Sequence, residues 1–337
     1  MLKTYIHKLQ NKENLSQEQM QEIMRAIMSG GASQEDVAAV LLGLRSKGAT
    51  IDEITGAAKI MRQFVVGIKS KHKNILDTCG TGGDKKNTFN ISTIAALVVA
   101  GAGGIVAKHG NRSVSSNCGS ADILEALGVN LKVEEKHIKE CLDQIGIAFL
   151  FAQKLHPAMK NVAPVRKELK VETIFNILGP LTNPANATHQ IVGVYSRDLV
   201  EPVCHVLRNL GLKRGLVVHG NDGLDEITTT DKTFISEFNG KEIMSYDISP
   251  EELGIALAKP EDLEGGSLQE NVAIVEHILD GHLSPKRDIV VLNAAYALYT
   301  LEKAKDISEA MDMAKESLDK GRAKAKLKIL RDFTRNV

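Results

Sequence analysis

The residues with the clearest chemical potential form a glycine-rich stretch at 77–84, DTCGTGGD, directly after a short apolar segment. Three glycines within four positions allow the backbone to turn its N–H groups toward a bound anion, because no Cβ atom interferes. The apolar run 94–100 predicts a helix whose N-terminal end carries partial positive charge. The hydroxyl-bearing residues Thr88, Ser92 and Thr93 lie between the glycine-rich stretch and this predicted helix. The stretch predicts a cradle for a substrate rich in phosphate.

This glycine-rich loop matches neither of two common phosphate-binding patterns. It lacks the Lys-Ser/Thr pair of a Walker loop and the third glycine of the dinucleotide fingerprint. The alternative is a tight strand-to-helix turn that binds nothing. A turn that only connects two elements needs glycine or proline, however, and does not need a series of hydroxyl, amide and acidic side chains. The residues after the glycines therefore favour anion binding.

A second polar loop, at 108–120, follows the short apolar segment 104–107, which reads as a buried strand. It contains two cationic side chains and several small hydrogen-bond donors. Ser120 is predicted to cap a helix over 121–127 that Gly128 terminates. In open α/β sheets, loops at the carboxyl ends of strands form the binding crevice. A solvated basic loop is the alternative, and it is weakened by the presence of two such loops in one domain.

The third feature is an acidic pair, Asp225 and Glu226, which follows the predicted strand 215–218 and a turn at Asp222-Gly223. Adjacent carboxylates are most often a solvated surface pair. Magnesium, however, prefers oxygen ligands and is commonly held by one or two carboxylates together with substrate phosphates. Beside a phosphate loop, metal binding becomes the better interpretation of this pair.

Together these residues resemble the anthranilate phosphoribosyltransferase family, which catalyses the second step of tryptophan biosynthesis. The glycine-rich loop alone is shared with pyrimidine nucleoside phosphorylases, whereas the combination of segments is highly specific. The resemblance extends from the first predicted helices nearly to the C-terminus, without a departure at the motif positions. The segments that carry it are 77–84, 90–93, 108–112, 151–159, 166–184 and 225–226.

The resemblance implies substrate and metal contacts at named positions. Contacts with phosphoribosyl pyrophosphate are implied for Gly80, Gly83, Asp84, Thr88, Asn90, Ser92, Thr93, Lys108, Asn111, Ser116 and Ser120. Contacts with anthranilate are implied for Gly80, Asn111 and Arg166, with His109, His156 and Gly179 lining its path. Magnesium, as two ions, is implied at Ser92, Asp225 and Glu226.

The implied chemistry needs no protein nucleophile and no catalytic base. Pyrophosphate leaves C1 of the ribose, positive charge develops on the sugar, and the neutral aryl amine attacks the opposite face. Magnesium, backbone amides and Lys108 are expected to stabilise the charge on the departing group. Arg166 is expected to bind the anthranilate carboxylate through its planar fork. Without the resemblance, Arg166, His109 and His156 would be read as ordinary surface or core residues.

The predicted fold class is α/β with a small all-helical domain. Capping boxes at 16–19 and 50–53 open amphipathic helices, and Ser33 opens another between them. From about residue 74, short β-branched runs alternate with helical patterns up to a helical tail at 303–333. The resemblance implies helices at 1–70, joined by a returning segment near 167–184. It also implies an α/β domain at 71–337 with a central, mostly parallel sheet flanked by helices.

Composition limits the classes of partner. Lys and Arg together number 42, as do Asp and Glu, so no basic surface for nucleic acid is indicated. The longest nearly apolar run, 94–107, is too short to cross a bilayer. The four cysteines show no zinc spacing, and with no secretory signal a cytoplasmic location is expected. The resemblance implies a homodimer.

Two other functions stay open at this point. A pyrimidine nucleoside phosphorylase would share the glycine-rich loop and the fold, but its chemistry needs no metal-binding acidic pair. A non-enzymatic, nucleic-acid-binding relative on the same scaffold would show a basic bias and altered magnesium or anthranilate positions. The acidic pair, Arg166 and the balanced charge disfavour both alternatives.

Overall fold

The protein begins with a group of helices. The structure, a computed structural model, describes residues 2–113, 118–240 and 242–337. The first four helices are α1 (Leu2–Gln10), α2 (Gln17–Met28), α3 (Gln34–Lys47) and α4 (Ile51–Gln63). The capping boxes predicted for α2 and α4 are present, with Ser16 and Thr50 as the capping residues. Side chains of α1–α4 pack with those of residues 158–181, so the chain returns to this helical group.

A sheet forms the centre of the rest of the chain. Its strands are β1 (Leu76–Asp77), β2 (Val106–Gly110), β3 (Ile147–Phe151), β4 (His189–Gly193), β5 (Arg214–Gly220), β6 (Thr233–Asn239) and β7 (Glu242–Ile248). The order is β3-β2-β1-β4-β5-β6-β7, counted over the described residues. β1 to β5 are parallel, and β6 and β7 add to them antiparallel. The predicted mostly parallel sheet is confirmed.

The other helices cover the two faces of this sheet or pack on the N-terminal helices. They are α5 (Ile91–Gly101), α6 (Ser120–Ala126), α7 (Glu135–Glu140), α8 (Ala152–Leu155), α9 (Ala163–Leu169), α10 (Ile174–Leu178), α11 (Val200–Asn209), α12 (Leu268–Leu279), α13 (Pro285–Thr300), α14 (Ile307–Asp319) and α15 (Arg322–Arg335). Leu216 and Val218 of β5 face the core formed with α5 and α13, whereas Val217 faces α11 and the N-terminal helices. Alternation along the strand thus divides the apolar side chains between two layers.

The sheet topology brings the predicted loops together. The connections from β1 to β2 and β3 run toward one edge, and those from β4 to β5 run toward the other. The strand order therefore reverses between β1 and β4, which makes this point a topological switch point, where open α/β sheets bind ligands. The glycine-rich loop follows β1, the second polar loop follows β2, and the acidic pair follows β5.

Two local predictions need correction. Ser120 is not the capping residue of α6 but its first residue, and Gly119 precedes the helix. The carboxylate of Asp122 reaches back to accept the N–H of Gly119 at 3.0 Å, which fixes the start of the helix without a serine cap. The predicted helical tail divides into α14 and α15, because Gly321 adopts a left-handed conformation between them.

The length of the helices bears on membrane association. Within the three described ranges, no helix is both long and apolar enough to cross a membrane.

Candidate active site

The glycine-rich loop is anchored to the end of β4. The N–H of Thr81 donates to the carbonyl of Gly193 at 2.8 Å, and the Thr81 hydroxyl approaches the same oxygen at 3.3 Å. Gly82 and Gly83 then turn the chain with φ of 64° and 86°, values that favour glycine. The loop therefore lies across the switch point between β1 and β4.

The acidic pair meets this loop directly. An Asp225 carboxylate oxygen accepts the Gly82 N–H at 2.8 Å. A Glu226 carboxylate oxygen accepts the N–H of Ser92, in the first turn of α5, at 3.2 Å. A Cβ atom on Gly193 would lie 1.6 Å from the Asp225 carbonyl oxygen, so only glycine allows this approach. The contacts of Gly82 with Asp225 and of Ser92 with Glu226 thus join residues that are 143 and 134 positions apart in the sequence.

Three carboxylates crowd this site. Burial raises the pKa of Asp225, and the neighbouring Asp84 carboxylate raises it further. Burial also raises the pKa of Glu226, with the Asp225 carboxylate adding to the effect. One carboxylate oxygen of Asp84 is buried and has no hydrogen-bond partner. Such a set of oxygen donors fits a divalent cation, which would offset the repulsion and satisfy the unpaired oxygen.

Lys108 lies beneath the same loop. Its side chain is buried, and the ammonium donates to the carbonyl of Thr78 at 3.0 Å and to the hydroxyl of Ser92 at 3.3 Å. The Thr78 hydroxyl in turn donates to the Ser92 carbonyl at 3.1 Å. A positive charge is thereby fixed between the glycine-rich loop and the N-terminal end of α5. Its field lowers the pKa of Glu226, against the larger effect of burial.

The remaining predicted phosphate-side residues surround this centre. Asn90 precedes α5, and its amide donates to the Cys118 carbonyl at 3.0 Å, which ties the start of this helix to the second polar loop. Thr88 pairs with Glu264 through backbone hydrogen bonding, while Thr93 is buried within α5. The Ser120 hydroxyl donates to the Asn111 carbonyl at 3.3 Å. Ser116 lies outside the described residues.

The predicted anthranilate residues form two groups. The Nε2 atoms of His109 and His156 are 3.1 Å apart, within hydrogen-bonding distance. Burial lowers the pKa of His109 to about 3 and that of His156 to about 4. The nearby Gly179 backbone opposes the lowering of the His109 pKa. Both imidazoles are therefore neutral near pH 7, and one ring donates to the other.

Arg166 lies in α9, within the segment that packs on the N-terminal helices. Its guanidinium is 3.5 Å from the Asn176 side-chain oxygen and 5.8 Å from the ring centre of Phe175. Burial lowers the pKa of Arg166 from its usual value. Among the described residues, no hydrogen bond joins Arg166 to the histidine pair. The structure thus places Gly179 near His109, whereas the contacts of Arg166 are with Asn176 and Phe175.

Sequence reasoning missed a buried contact that supports the site. The Asp77 carboxylate accepts the His109 N–H at 3.0 Å and the Asn183 side-chain amide at 2.7 Å. Asn183 also donates to the Ala107 carbonyl at 2.9 Å. Burial raises the pKa of Asp77 to about 6, although the nearby Lys108 charge opposes the shift. The signal was a carboxylate at the end of an apolar strand, which needs a buried partner.

Asp77 also approaches two other potential metal ligands. Ligand atoms of Asp77, Cys79 and His109 lie within 4.8 Å of one another. Burial raises the pKa of the Cys79 thiol to about 12, and both Asp77 oxygens already have hydrogen-bond partners. Because metals bind thiolate rather than thiol, this group fits a structural network better than a metal site.

Comparison with known proteins gives the same architecture. The chain matches the helical bundle domain of a glycosyl transferase family over residues 3–65 and its a/b domain over residues 72–324. An anthranilate phosphoribosyltransferase from Acetivibrio thermocellus is 50% identical over 99% of this chain and 97% of its own length.

Solved structures agree with these matches. The anthranilate phosphoribosyltransferase of Thermus thermophilus superposes with a TM-score of 0.93 at 42% identity, covering 98% of this chain and 99% of that one. The Saccharomyces cerevisiae enzyme in complex with PRPP and Mg superposes with a TM-score of 0.91 at 27% identity, covering 100% of this chain and 98% of that one. Fold and sequence thus define a glycosyl transferase with a helical bundle and an α/β domain. Within that class, the chain belongs to the anthranilate phosphoribosyltransferase family.

The lowered pKa of His156 predicts a pH dependence of stability. Between about pH 6.5 and 4 the unfolded chain binds a proton at this position that the folded chain does not, so acid destabilises the fold. For each unit by which the pH is lowered in this range, the free energy of unfolding of the wild type should fall by up to about 1.4 kcal/mol more than that of the His156→Gln variant. Asp77, whose raised pKa acts in the opposite direction, is common to both proteins and cancels.

Urea denaturation at pH 7, 6 and 5 measures this difference, with the exposed His7→Gln as a control. A wild type and a His156→Gln variant that respond identically to pH would show that His156 does not stay neutral in the fold.

Proposed function

We propose that this chain transfers the phosphoribosyl group of phosphoribosyl pyrophosphate to the amine of anthranilate. The products are N-(5-phosphoribosyl)anthranilate and pyrophosphate, in the second step of tryptophan biosynthesis. One observation carries the proposal: Asp225 and Glu226 accept hydrogen bonds from the N–H groups of Gly82 and Ser92. Carboxylates, main-chain donors and a helix terminus therefore converge where a diphosphate and a divalent cation would bind together.

The phosphate side of the site has a defined set of proposed contacts. The backbone of the glycine-rich loop offers N–H groups, and the first turn of α5 adds helix-terminal donors. The proposed contacts are Gly80, Gly83, Asp84, Thr88, Asn90, Ser92, Thr93, Lys108, Asn111, Ser116 and Ser120. Lys108 supports this region with a fixed charge, because its ammonium is held by Thr78 and Ser92.

Magnesium is the proposed cofactor, as two ions, at Ser92, Asp225 and Glu226. When bound, it would supply charge neutralisation for the leaving diphosphate as a Lewis acid. The structural neighbour from yeast is described in complex with PRPP and Mg. Asp225 and Glu226 hold their oxygens beside the glycine-rich loop, and Lys108 and the loop amides stabilise negative charge there. Each well-placed donor of this kind can contribute roughly 3–4 kcal/mol to transition-state stabilisation.

The anthranilate side is proposed to use Gly80, Asn111, Arg166, His109, His156 and Gly179. Arg166 would bind the carboxylate of anthranilate, since a guanidinium can form two parallel hydrogen bonds with it. The neutral histidine pair adds hydrogen-bonding surface without adding charge. An aryl amine is neutral at pH 7, so attack on the sugar needs no strong base in the protein.

The two alternatives receive no support. A pyrimidine nucleoside phosphorylase needs no acidic pair at the glycine-rich loop, yet Asp225 and Glu226 contact that loop and the helix after it directly. A nucleic-acid-binding relative should carry a basic bias, whereas the formal net charge of the chain is zero. The full-length relatives and neighbours reported above are transferases.

The first functional prediction concerns the acidic pair. The double variant Asp225→Asn, Glu226→Gln should reduce turnover by about 100-fold or more, because the cation loses its charged ligands. Its fold should remain intact, since the amide oxygens can still accept the Gly82 and Ser92 hydrogen bonds. The fall of anthranilate fluorescence with phosphoribosyl pyrophosphate and Mg²⁺ measures turnover, and circular dichroism checks the fold.

A charge-matched control is Asp198→Asn, Glu201→Gln, at two exposed positions around the start of α11. Unchanged turnover of the acidic-pair variant in saturating Mg²⁺ would contradict the metal assignment. Constant anthranilate fluorescence with the wild type, together with phosphorolysis of uridine, would favour the phosphorylase instead.

The second functional prediction concerns Arg166. Arg166→Ala should raise the KM for anthranilate about 10- to 100-fold, which corresponds to the loss of a charge-assisted hydrogen bond worth about 1.5–3 kcal/mol. The KM for phosphoribosyl pyrophosphate should change little. Steady-state kinetics with each substrate varied in turn separates the two effects. The neighbouring, exposed Lys167→Ala serves as the control. A main effect on phosphoribosyl pyrophosphate would place the two substrates the other way round.

The organisation of the chain is proposed in the same way. We propose a helical domain at 1–70, completed by the returning segment 167–184, and an α/β domain at 71–337. We also propose a cytoplasmic location, in keeping with the four free cysteines.

A homodimer formed through the helical domain is supported by exposed apolar side chains there. Leu42 of α3 is 44% exposed, and Val171 is 37% exposed.

Leu42 and Val171 lie on adjoining elements. The guanidinium of Arg45, one turn from Leu42, donates a hydrogen bond to the carbonyl of Glu172, the residue after Val171, at 2.6 Å. Leu42→Asp should therefore lower the mass in sedimentation velocity from twice the chain mass of 36.6 kDa to that of one chain. Met244→Asp, at an exposed apolar position of β7, is the control. A wild type that sediments as one chain at micromolar concentration would refute the dimer.

A further inference from the structure

A buried amide of α13 holds the loop that carries the acidic pair. Asn293 accepts the Ile227 N–H at 3.0 Å and donates to the Ile227 carbonyl at 2.8 Å. Its amide also donates to the Ile289 carbonyl, one turn back in the same helix, at 2.9 Å. The Asn293 side chain is buried, so water does not compete for these contacts. Both backbone polar groups of Ile227 thus depend on one side chain.

Ile227 directly follows Asp225 and Glu226 in the connection between β5 and β6. The main-chain position of Ile227 therefore limits where the Glu226 carboxylate can lie. Asn293 and Glu226 line the same small cavity, together with Ser92. Ser92 belongs to α5, which packs directly on α13. Two packed helices thus determine the place of Glu226, one through its carboxylate and the other through the adjacent backbone.

Substitution by an apolar residue would leave the Ile227 N–H and carbonyl buried without partners. Such groups are costly, so the loop would shift until it found other donors and acceptors. The other contacts of the loop allow this shift to be local. Asp222 accepts hydrogen bonds from the Leu224 N–H at 3.1 Å and the Thr228 hydroxyl at 2.7 Å. The ends of the loop would remain fixed while its centre moves.

We propose that Asn293 is a positioning residue for cation binding: it fixes the Ile227 backbone and thereby holds the Asp225 and Glu226 carboxylates at the glycine-rich loop. This inference rests on the proposed function, because it takes the acidic pair as the magnesium site. Residues that orient metal ligands without touching the metal commonly change its affinity about 10- to 100-fold when they are substituted.

The chain contains a close structural match that serves as a control. Asn271 of α12 is also buried, accepts the Gly266 N–H at 3.1 Å and donates to the Gly266 carbonyl at 3.2 Å. It therefore makes the same two-point contact with a loop that carries none of the proposed metal ligands. Asn293→Leu and Asn271→Leu remove equivalent contacts, so their comparison separates positioning of the cation site from a general loss of stability.

The experiment is calorimetric binding of phosphoribosyl pyrophosphate to the full-length protein at a series of Mg²⁺ concentrations. Asn293→Leu should raise the Mg²⁺ concentration for half-maximal binding about 10- to 100-fold. Asn271→Leu can weaken binding at saturating Mg²⁺, because the loop that it holds pairs with Thr88 through Glu264, but it should leave the Mg²⁺ concentration for half-maximal binding close to the wild-type value. Thermal unfolding in the absence of Mg²⁺ confirms that both variants are folded. If either Leu variant does not fold, Asn293→Ser and Asn271→Ser are compared in the same way.

Equal Mg²⁺ requirements for the Asn293 and Asn271 variants, with Mg²⁺-dependent binding by the wild type, would overturn the inference and leave the proposed function standing. A wild type that binds phosphoribosyl pyrophosphate without any dependence on Mg²⁺ would overturn both.

Discussion

The site depends on one close approach, at Gly193. The carbonyl of this residue accepts the Thr81 N–H, and its Cα atom lies against the Asp225 carbonyl, where a side chain would have no room. The glycine-rich loop, the end of β4 and the loop after β5 are therefore held together at a single point. Any residue larger than glycine would separate the glycine-rich loop from the acidic pair, and the hydrogen bond from Gly82 to Asp225 depends on that separation staying small.

The sheet provides the rigid frame for this contact. β1 and β4 are adjacent and parallel, so the loops that follow them emerge at the same edge. Helix α5 then returns across the sheet and presents its first turn to Glu226, while α13 packs beside it. The apolar core beneath the N-terminal helices reaches β4 and β5 from the other face, through Val192 and Val217. Parts of the chain that are far apart in sequence thus contribute to one binding region.

Residue types and local order were enough to predict the fold class, and they singled out the loops that the structure brings together at the switch point. Glycines followed by hydroxyl and amide side chains favour anion binding, and the acidic pair becomes informative only beside that loop. The capping boxes of α2 and α4 are strictly local signals. The contacts of Asp77 with Asn183 and of Asn293 with Ile227 could not be predicted in this way. Each joins residues far apart in the chain, by 106 and 66 positions, and neither pair carries a local pattern. Ser120 was misplaced by one residue, because the helix already begins after Gly119, whose N–H is bound by Asp122, and the Ser120 hydroxyl donates to the Asn111 carbonyl instead.

The carboxylates of Asp225 and Glu226 have a consequence for selectivity among anions. Each carboxylate accepts a hydrogen bond from an N–H group that could also bind a phosphate oxygen. An incoming anion would therefore displace a carboxylate and gain little from that hydrogen bond. A simple oxyanion such as sulfate cannot offer these carboxyl groups a replacement partner. A polyphosphate that arrives with its own counter-ion can, because the same ion attracts the carboxylates away from the amides. At the proposed diphosphate site, the protein's own acids would thereby disfavour anions that bind without a cation.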